Sequence, residues 1–416
     1  MTFAAALAVL AERQEAKIVL GLGRVQAHLA SLGNPHLAVP AFHVAGTNGK
    51  GSTCAMLSAV LTAAGYRAGL FISPHLLSVR ERISVDGRMI AETEFARLMA
   101  RALAADKKNL LTYFELLTSI AFQHFAARKC DVMVLETGIG GRLDATNVVP
   151  SPLAAIVTSI DYDHQFYLGR TLAVIARQKT GIFKAGRPAV RPDLPILRRA
   201  ALRGRPVVVR RPWKTVRVDW ARGRQLLRSP SGRTYALSLL GSRQGWNAAL
   251  AHAAVEASGL KVSEAAWRKG LATVSWRGRF EAIKLGRKTL IVDGAHNPEA
   301  ARALAATWKS SPLSKRPARW ILGIMKDKDV AGVLSPLAPF IRDAVLVRAA
   351  ASPRTLEPLE LSRFVRAAAP KARVTIERDP STAIAAWRND VNSPKIAVCA
   401  GSLYLAGAAL KAVGPR

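Results

Sequence analysis

The segment His43-Val44-Ala45-Gly46-Thr47-Asn48-Gly49-Lys50-Gly51-Ser52-Thr53 lies between an apolar run, Ala41–Ala45, and a helix-forming stretch over residues 52–64. Glycines in such a loop let successive backbone N–H groups turn inward toward phosphate oxygens. The following helix N-terminus adds its dipole and Lys50 adds a point charge. Thr47, Asn48, Gly49, Lys50, Gly51 and Ser52 are therefore candidate nucleotide contacts. The pattern is not a strict Walker A: Val44 stands where that motif has its first glycine, and Gly51 separates Lys50 from Ser52. A Gly-rich turn with a solvated lysine is the bland alternative, and the strand–loop–helix context argues against it.

Further polar residues fall where apolar runs end, the positions at which open α/β sheets bind ligands. Glu136 follows the run 132–135 and precedes Thr137-Gly138-Ile139-Gly140-Gly141; a carboxylate there suits magnesium, which bridges nucleotide phosphates. Ser73 ends the run 68–72, and His164 closes Asp161-Tyr162-Asp163-His164 after the run 156–160. Taken singly, each of these is more simply a cap or a satisfied turn residue. Lys179, in Arg177-Gln178-Lys179-Thr180, reads by itself as a surface lysine on a helix. Asp293-Gly294-Ala295-His296-Asn297-Pro298 closes one buried strand and opens a helix far along the chain, by itself a helix cap. Two such sites in two regions suggest a cleft between domains.

The elements that must position these groups alternate. Short, nearly all-apolar strands at 41–45, 68–72, 132–136 and 154–160 are separated by helices at 52–64 and 114–127, the signature of a parallel sheet covered on both faces. Residues 187–242 are rich in Arg and Pro and read as a β-rich excursion. A helix at 246–257 resumes the pattern, and Trp276-Arg277-Gly278-Arg279 reads as a linker. A second α/β series follows, with strands at 289–292, 320–324, 344–348 and 396–400 and a helix at 298–308. The expected division is a first domain at 1–278 and a second at 281–416.

With 416 residues, half of them apolar and 21% charged, the chain is a folded globular protein of at least two domains. Three scattered cysteines, Cys54, Cys130 and Cys399, give neither a disulfide framework nor a metal knuckle, and a reducing, cytoplasmic compartment is expected. The apolar stretch at 3–10 lacks a basic flank and reads as an amphipathic helix, and no run reaches the roughly 18 residues needed to span a bilayer. A net charge of +33 would steer anionic substrates. The basic residues are dispersed and do not interleave with aromatics, so specific nucleic-acid binding is not expected.

Taken together, the blocks AGTNGKGS, SPHL, YFELLT, ETGIGGRLDATN, TSIDYDH, the Lys179 segment, RGRFE and DGAHNP resemble folylpolyglutamate synthase/dihydrofolate synthase, within the Mur ligase superfamily, over residues 17–407. The resemblance implies a P-loop nucleotide-binding domain with a mainly parallel sheet and a smaller Rossmann-like C-terminal domain. It implies ATP and Mg2+ as cofactors, with phosphates at Thr47, Asn48, Gly49 and Lys50 and magnesium on Ser73, Glu136 and His164. Further nucleotide contacts fall on Asn247, Arg279 and Asp293, and Arg279 would bring a cation to the transferring phosphate. A pterin pocket falls on Thr112, Tyr113, Phe114, Glu115, Leu143, Asp144 and Ala145, and incoming glutamate on His296. Lys179 would carry a carboxyl group and act with Lys50, His164 and Arg279 in catalysis. The implied enzyme, a monomer, adds L-glutamate to dihydropteroate or a reduced folate through an acyl phosphate. Two departures stand out: Arg243 replaces a histidine common in the family, and residues 12–15 do not match those that close the dihydropteroate site in bifunctional members. The retained Leu143-Asp144-Ala145 favours dihydropteroate.

Overall fold

The computed structural model describes residues 1–13, 18–108, 110–200 and 203–414. The first domain is organised on eight strands: β1 (Ala41–Ala45), β2 (Ala68–Phe71), β3 (Ile83–Val85), β4 (Arg88–Met89), β5 (Val132–Glu136), β6 (Ala154–Val157), β7 (Pro188–Pro192) and β8 (Arg205–Val209). They lie in the order β4-β3-β2-β5-β1-β6-β7-β8, parallel except for the β2–β3–β4 meander. β1, β5 and β6 are buried along their whole length, as the uninterrupted apolar runs require of strands covered on both faces. Because β2, β5, β1 and β6 are parallel neighbours, the loops leaving their carboxyl ends emerge side by side. That pairing brings Ser73, Glu136, the phosphate loop and the 158–164 segment to one edge.

The excursion expected over 187–242 divides in two. Its beginning, β7 and β8, extends the main parallel sheet, and the Pro residues of β7 stand at its two ends, outside the ladder with β6. Only β9 (Lys214–Asp219), β10 (Arg224–Arg228) and β11 (Thr234–Leu237) form a separate antiparallel sheet. Its inner face, with Leu227, Tyr235 and Leu237, packs with Trp213 and Trp267 against the helices behind β1. The helix expected from residue 52 starts at Lys50, two residues earlier, because Gly49 takes the left-handed cap conformation at φ 85°.

The second domain is a six-stranded sheet of β12 (Glu281–Leu285), β13 (Lys288–Val292), β14 (Ala318–Leu322), β15 (Asp343–Leu346), β16 (Arg373–Ile376) and β17 (Ile396–Ala400). The order is β12-β13-β17-β14-β15-β16, with only β12 antiparallel. Edge strands β12 and β16 escaped the sequence reading because each is half exposed and carries charge. Trp308 and Trp320 meet edge to face at 5.6 Å in the core between sheet and helix Pro298–Ser310. The amphipathic N-terminal helix, Phe3–Glu12, buries Ala6 and Leu10 and sets Phe3 edge-on to Phe95 at 5.5 Å.

Helix Glu264–Thr273 crosses Lys50–Ala63 at Gly270, where an added Cβ would lie 2.5 Å from Val60 Cα and 2.8 Å from its amide nitrogen. Both are backbone atoms, so neither can swing away. Gly270→Ala is expected to cost about 1–3 kcal/mol, read as a lower urea midpoint. An unchanged midpoint would mean that the two helices slide apart freely.

Candidate functional site

A cavity of about 560 Å³ opens between the domains. Every residue of the phosphate loop from Thr47 to Ser52 lines it, together with Ser73, Glu136, His164, Asn247, Arg279, Asp293 and His296. Thr112, Tyr113, Phe114, Glu115, Leu143, Asp144 and Ala145 line the same space. Only Lys179, among the candidates read from the sequence, stands behind the wall.

The phosphate loop is anchored from the neighbouring strand. Thr47 N–H donates to Ser159 O at 3.0 Å, Asn48 N–H to Ser159 Oγ at 3.0 Å, and Thr158 Oγ to Asn48 O at 2.7 Å. Gly49 faces Asn247, whose Oδ1 would lie 2.4 Å from an added Cβ, so only glycine permits this approach. Gly51 likewise sits under the Trp276 ring at 2.2 Å for an added Cβ, which ties the helix start to the interdomain linker. Lys50 Nζ folds back to Gly46 O and Thr47 O at 3.1 and 3.2 Å, above the loop.

Lys179 corrects the surface reading. Its side chain is 3% exposed and reaches from helix Leu172–Thr180 to donate to Gly46 O at 3.0 Å. Burial, then the nearby Lys50 charge, lowers its pKa to about 7, leaving a large neutral-amine fraction at physiological pH. Glu136, also 3% exposed, accepts Ser73 N–H at 3.1 Å. Burial raises its carboxyl to about 6 against the pull of Lys50, the Ser73 amide and Arg279. The His164 imidazole is driven down by desolvation and by the Lys328 and Lys50 charges, so it is neutral, with a lone pair free for a cation.

Among the described residues no three His, Cys, Asp or Glu side chains converge as a preformed cage. Glu136, the Ser73 hydroxyl and neutral His164 nevertheless offer hard oxygen donors and one imidazole around the phosphate loop. That set fits magnesium, which keeps several waters and takes phosphate oxygens as its remaining ligands.

On the second-domain wall, half-buried Arg279 and Asp293 offset each other: desolvation lowers the guanidinium and raises the carboxyl, and each counters the other. Asp293 also accepts Phe280 N–H and Ala295 N–H, both at 2.8 Å. Asp144 is pinned by Ile139 N–H at 2.9 Å and Thr146 Oγ at 2.6 Å, with buried His43 behind Thr146 at 2.8 Å. Thr112 and Glu115 form a reciprocal capping box on helix Tyr113–Ala127, and Glu115 accepts Arg24 at 2.9 Å. These acids shape the pocket through the backbone they hold. Phe114 packs its ring on Gly138, leaving no room for a side chain there.

The Mur ligase middle domain matches residues 44–192, and the Mur ligase glutamate ligase domain matches 278–403. Dihydrofolate synthase/folylpolyglutamate synthase of Escherichia coli (strain K12) is 39% identical over 78% of this chain and 77% of its own. The Bacillus subtilis (strain 168) protein of the same name is 34% identical over 92% and 93%. The chain belongs to the dihydrofolate synthase/folylpolyglutamate synthase family. It is an ATP-dependent, ADP-forming ligase of the Mur ligase type. The structure of E. coli FolC in complex with DHPP and ADP superposes with a TM-score of 0.85 at 32% identity, covering 99% of this chain and 98% of that one. Mycobacterium tuberculosis folylpolyglutamate synthase complexed with ADP and AMPPCP gives 0.88 at 31%, covering 100% and 99%.

Beyond the family motifs, the site contains groups that sequence reasoning passed over. Asp163 is the hub: it accepts Lys328 Nζ at 2.6 Å and Asn297 Nδ2 at 3.0 Å, and faces His296 Nε2 at 3.6 Å. Burial alone would raise its carboxyl; His296, His164 and Lys328 together hold it well below the usual carboxylate range. Arg302 reaches Asp161 at 2.6 Å across the same boundary. The signal was present in two acids of Asp161-Tyr162-Asp163 and in Lys328 just past β14, but only the fold makes them partners. Of the unmatched stretch 12–15, Glu12 ends the first helix; Gln14 and Glu15 lie outside the described residues.

Proposed function

We propose that this ligase adds L-glutamate to dihydropteroate and to reduced folates in the cytoplasm, with ATP and Mg2+. One observation carries the reading: the phosphate loop and the Thr112–Glu115 and Leu143–Ala145 blocks line one continuous cavity, so an activated carboxylate and its pterin-bearing end fit in a single space. The E. coli relative was solved with DHPP and ADP, and another member with Mn, AMPPNP and L-glutamate, which supports this substrate set. Buried free thiols at Cys54, Cys130 and Cys399 suit a reducing compartment, and no described helix is long and apolar enough to cross a membrane.

In this scheme the substrate carboxylate attacks the ATP γ-phosphorus, the bridge to the β-phosphate breaks, and ADP leaves. Glutamate's amine then attacks the acyl carbon, and phosphate departs as the amide forms. Magnesium, when bound, would neutralise the phosphate oxygens. Lys50 adds its charge above the loop and Arg279 adds another from the opposite wall, so catalysis is largely positioning and charge neutralisation. His296, oriented by Gly294 O at 2.8 Å, faces the space where glutamate would enter. Apposition of the two domains excludes water and protects the acyl phosphate.

Lys179 is proposed to be carboxylated. The neutral amine attacks CO2, a C–N bond forms, and one N–H proton passes to solvent, converting the buried neutral amine into a carbamate anion behind the phosphate loop. The lowered pKa of about 7 supports this, because only the free amine reacts.

The test is ADP release with MgATP and glutamate, adding dihydropteroate and tetrahydrofolate in turn. Release is expected with each acceptor. No response to either would overturn the substrate assignment.

A further inference from the structure

Asn48 stands at the tip of the phosphate loop, and its side chain is held from the other domain. Its Nδ2 donates to Asn297 Oδ1 at 3.0 Å and to Glu299 Oε2 at 2.7 Å, while Asn297 Nδ2 returns a bond to Asn48 Oδ1 at 3.1 Å. Glu299 Oε2 also accepts Ser159 Oγ at 3.0 Å, from the strand end that anchors the loop backbone. Its other oxygen accepts Arg243 Nη2 at 2.7 Å. Glu299 is rigidly presented: it occupies the first turn of helix Pro298–Ser310, where the dipole favours a carboxylate, and its side chain is 14% exposed. Arg243, 44% exposed, is the residue that departs from the family's histidine, and the structure gives the departure a partner.

We infer that Glu299 is a positioning residue for the phosphate loop, delivered across the domain boundary, and that Arg243 fixes its carboxylate and masks its charge from bound phosphates. The loop's own domain supplies its backbone hydrogen bonds; the second domain supplies the grip on its tip. Nucleotide affinity is thereby coupled to domain apposition. Without Arg243, the carboxylate beside the loop would repel the nucleotide. Without Glu299, Asn48 loses its shortest side-chain bond and the loop relaxes away from the phosphate-binding form. The inference rests on Gly46–Ser52 being the nucleotide site.

The experiment measures binding of Mg-AMPPNP by calorimetry, and KM for ATP and for glutamate, on the full chain. Glu299→Ala is expected to weaken Mg-AMPPNP about tenfold and raise KM for ATP in parallel, leaving KM for glutamate within about twofold. Glu299→Gln keeps an oxygen acceptor for Asn48 and is expected to lose about threefold. Arg243→Gln, a change at a half-exposed position, is expected to lose a similar factor. Because Arg243 acts through the Glu299 carboxylate, Arg243→Gln should cost clearly less in the Glu299→Gln background than in the parent, a non-additivity that generic destabilisation does not produce. Glu299→Ala binding Mg-AMPPNP as tightly as the parent, or more tightly, would overturn the inference while leaving the ligase assignment intact. Failure of the parent chain to bind Mg-AMPPNP would bring down both.

Discussion

Lys50→Ala is expected to reduce glutamate-dependent ADP release by on the order of a thousandfold, with the fold preserved. The size follows from geometry. Lys50 Nζ lies within 3.1–3.2 Å of two loop carbonyls, directly above the space lined by Glu136, Arg279 and Asp293. On the proposed reading it would be the cation nearest the transferring phosphoryl group; the other lysine lining the cavity among the described residues, Lys328, comes from the second domain and is held by Asp163 at 2.6 Å. Its removal takes a donor from the Thr47 carbonyl, on a residue that lines the cavity, while the Gly46 carbonyl keeps its bond from Lys179 Nζ at 3.0 Å. A change in thermal midpoint corresponding to no more than about 1 kcal/mol is therefore expected. Circular dichroism melts alongside the ADP assay separate the two effects. A variant that remains active with MgATP would remove Lys50 from the chemistry.

Lys179→Met is expected to lower activity about 10- to 100-fold, the range for losing a group that supports a metal site from behind. Stability should move the other way. Burial depresses the folded pKa of the amine to about 7, below its ordinary value of 10.5, so between those values the unfolded chain binds the extra proton and stability rises with pH. At neutral pH the uncarboxylated lysine is therefore a cost, and methionine removes it. The variant should melt no lower than the parent while losing most of its activity. Carboxylation needs the free amine, whose fraction grows as pH rises through about 7. Parent protein stripped of CO2 at pH 6 should thus be slow and should recover when bicarbonate is added at pH 8; the methionine variant should show no such recovery. Bicarbonate-independent activity across that range would rule out the carboxylated lysine.

The motif residues were legible because each sits where a local pattern changes. Gly46–Ser52 falls between a strand period and a helix period, Glu136 at the end of an all-apolar run, and Asp293 before a capped helix beginning with proline. Strands β12 and β16 were not legible, since half-exposed edge strands bearing charge lack the alternation that marks a buried face. The strand identity of the Arg- and Pro-rich region was apparent, but not its division between an extended parallel sheet and a separate antiparallel one. Ladder partners far apart in the chain set that division, as Ala155 with Ala189 shows.

Lys179 marks the limit most clearly. A lysine on a helix looks solvated in any local window, and its burial against Gly46 O follows only when helix Leu172–Thr180 packs behind the loop. The grip of Glu299 on Asn48 joins residues 251 positions apart, and that of Lys328 on Asp163 joins residues 165 apart. The sequence by itself determined the parallel α/β architecture, the phosphate loop and the order of the site blocks, because these rest on periodicity and on residues adjacent along the chain. Only the tertiary structure decided which side chains are buried, which carry shifted protons and which reach across the domain boundary. Those properties arise from desolvation and distance between groups that the chain itself keeps far apart.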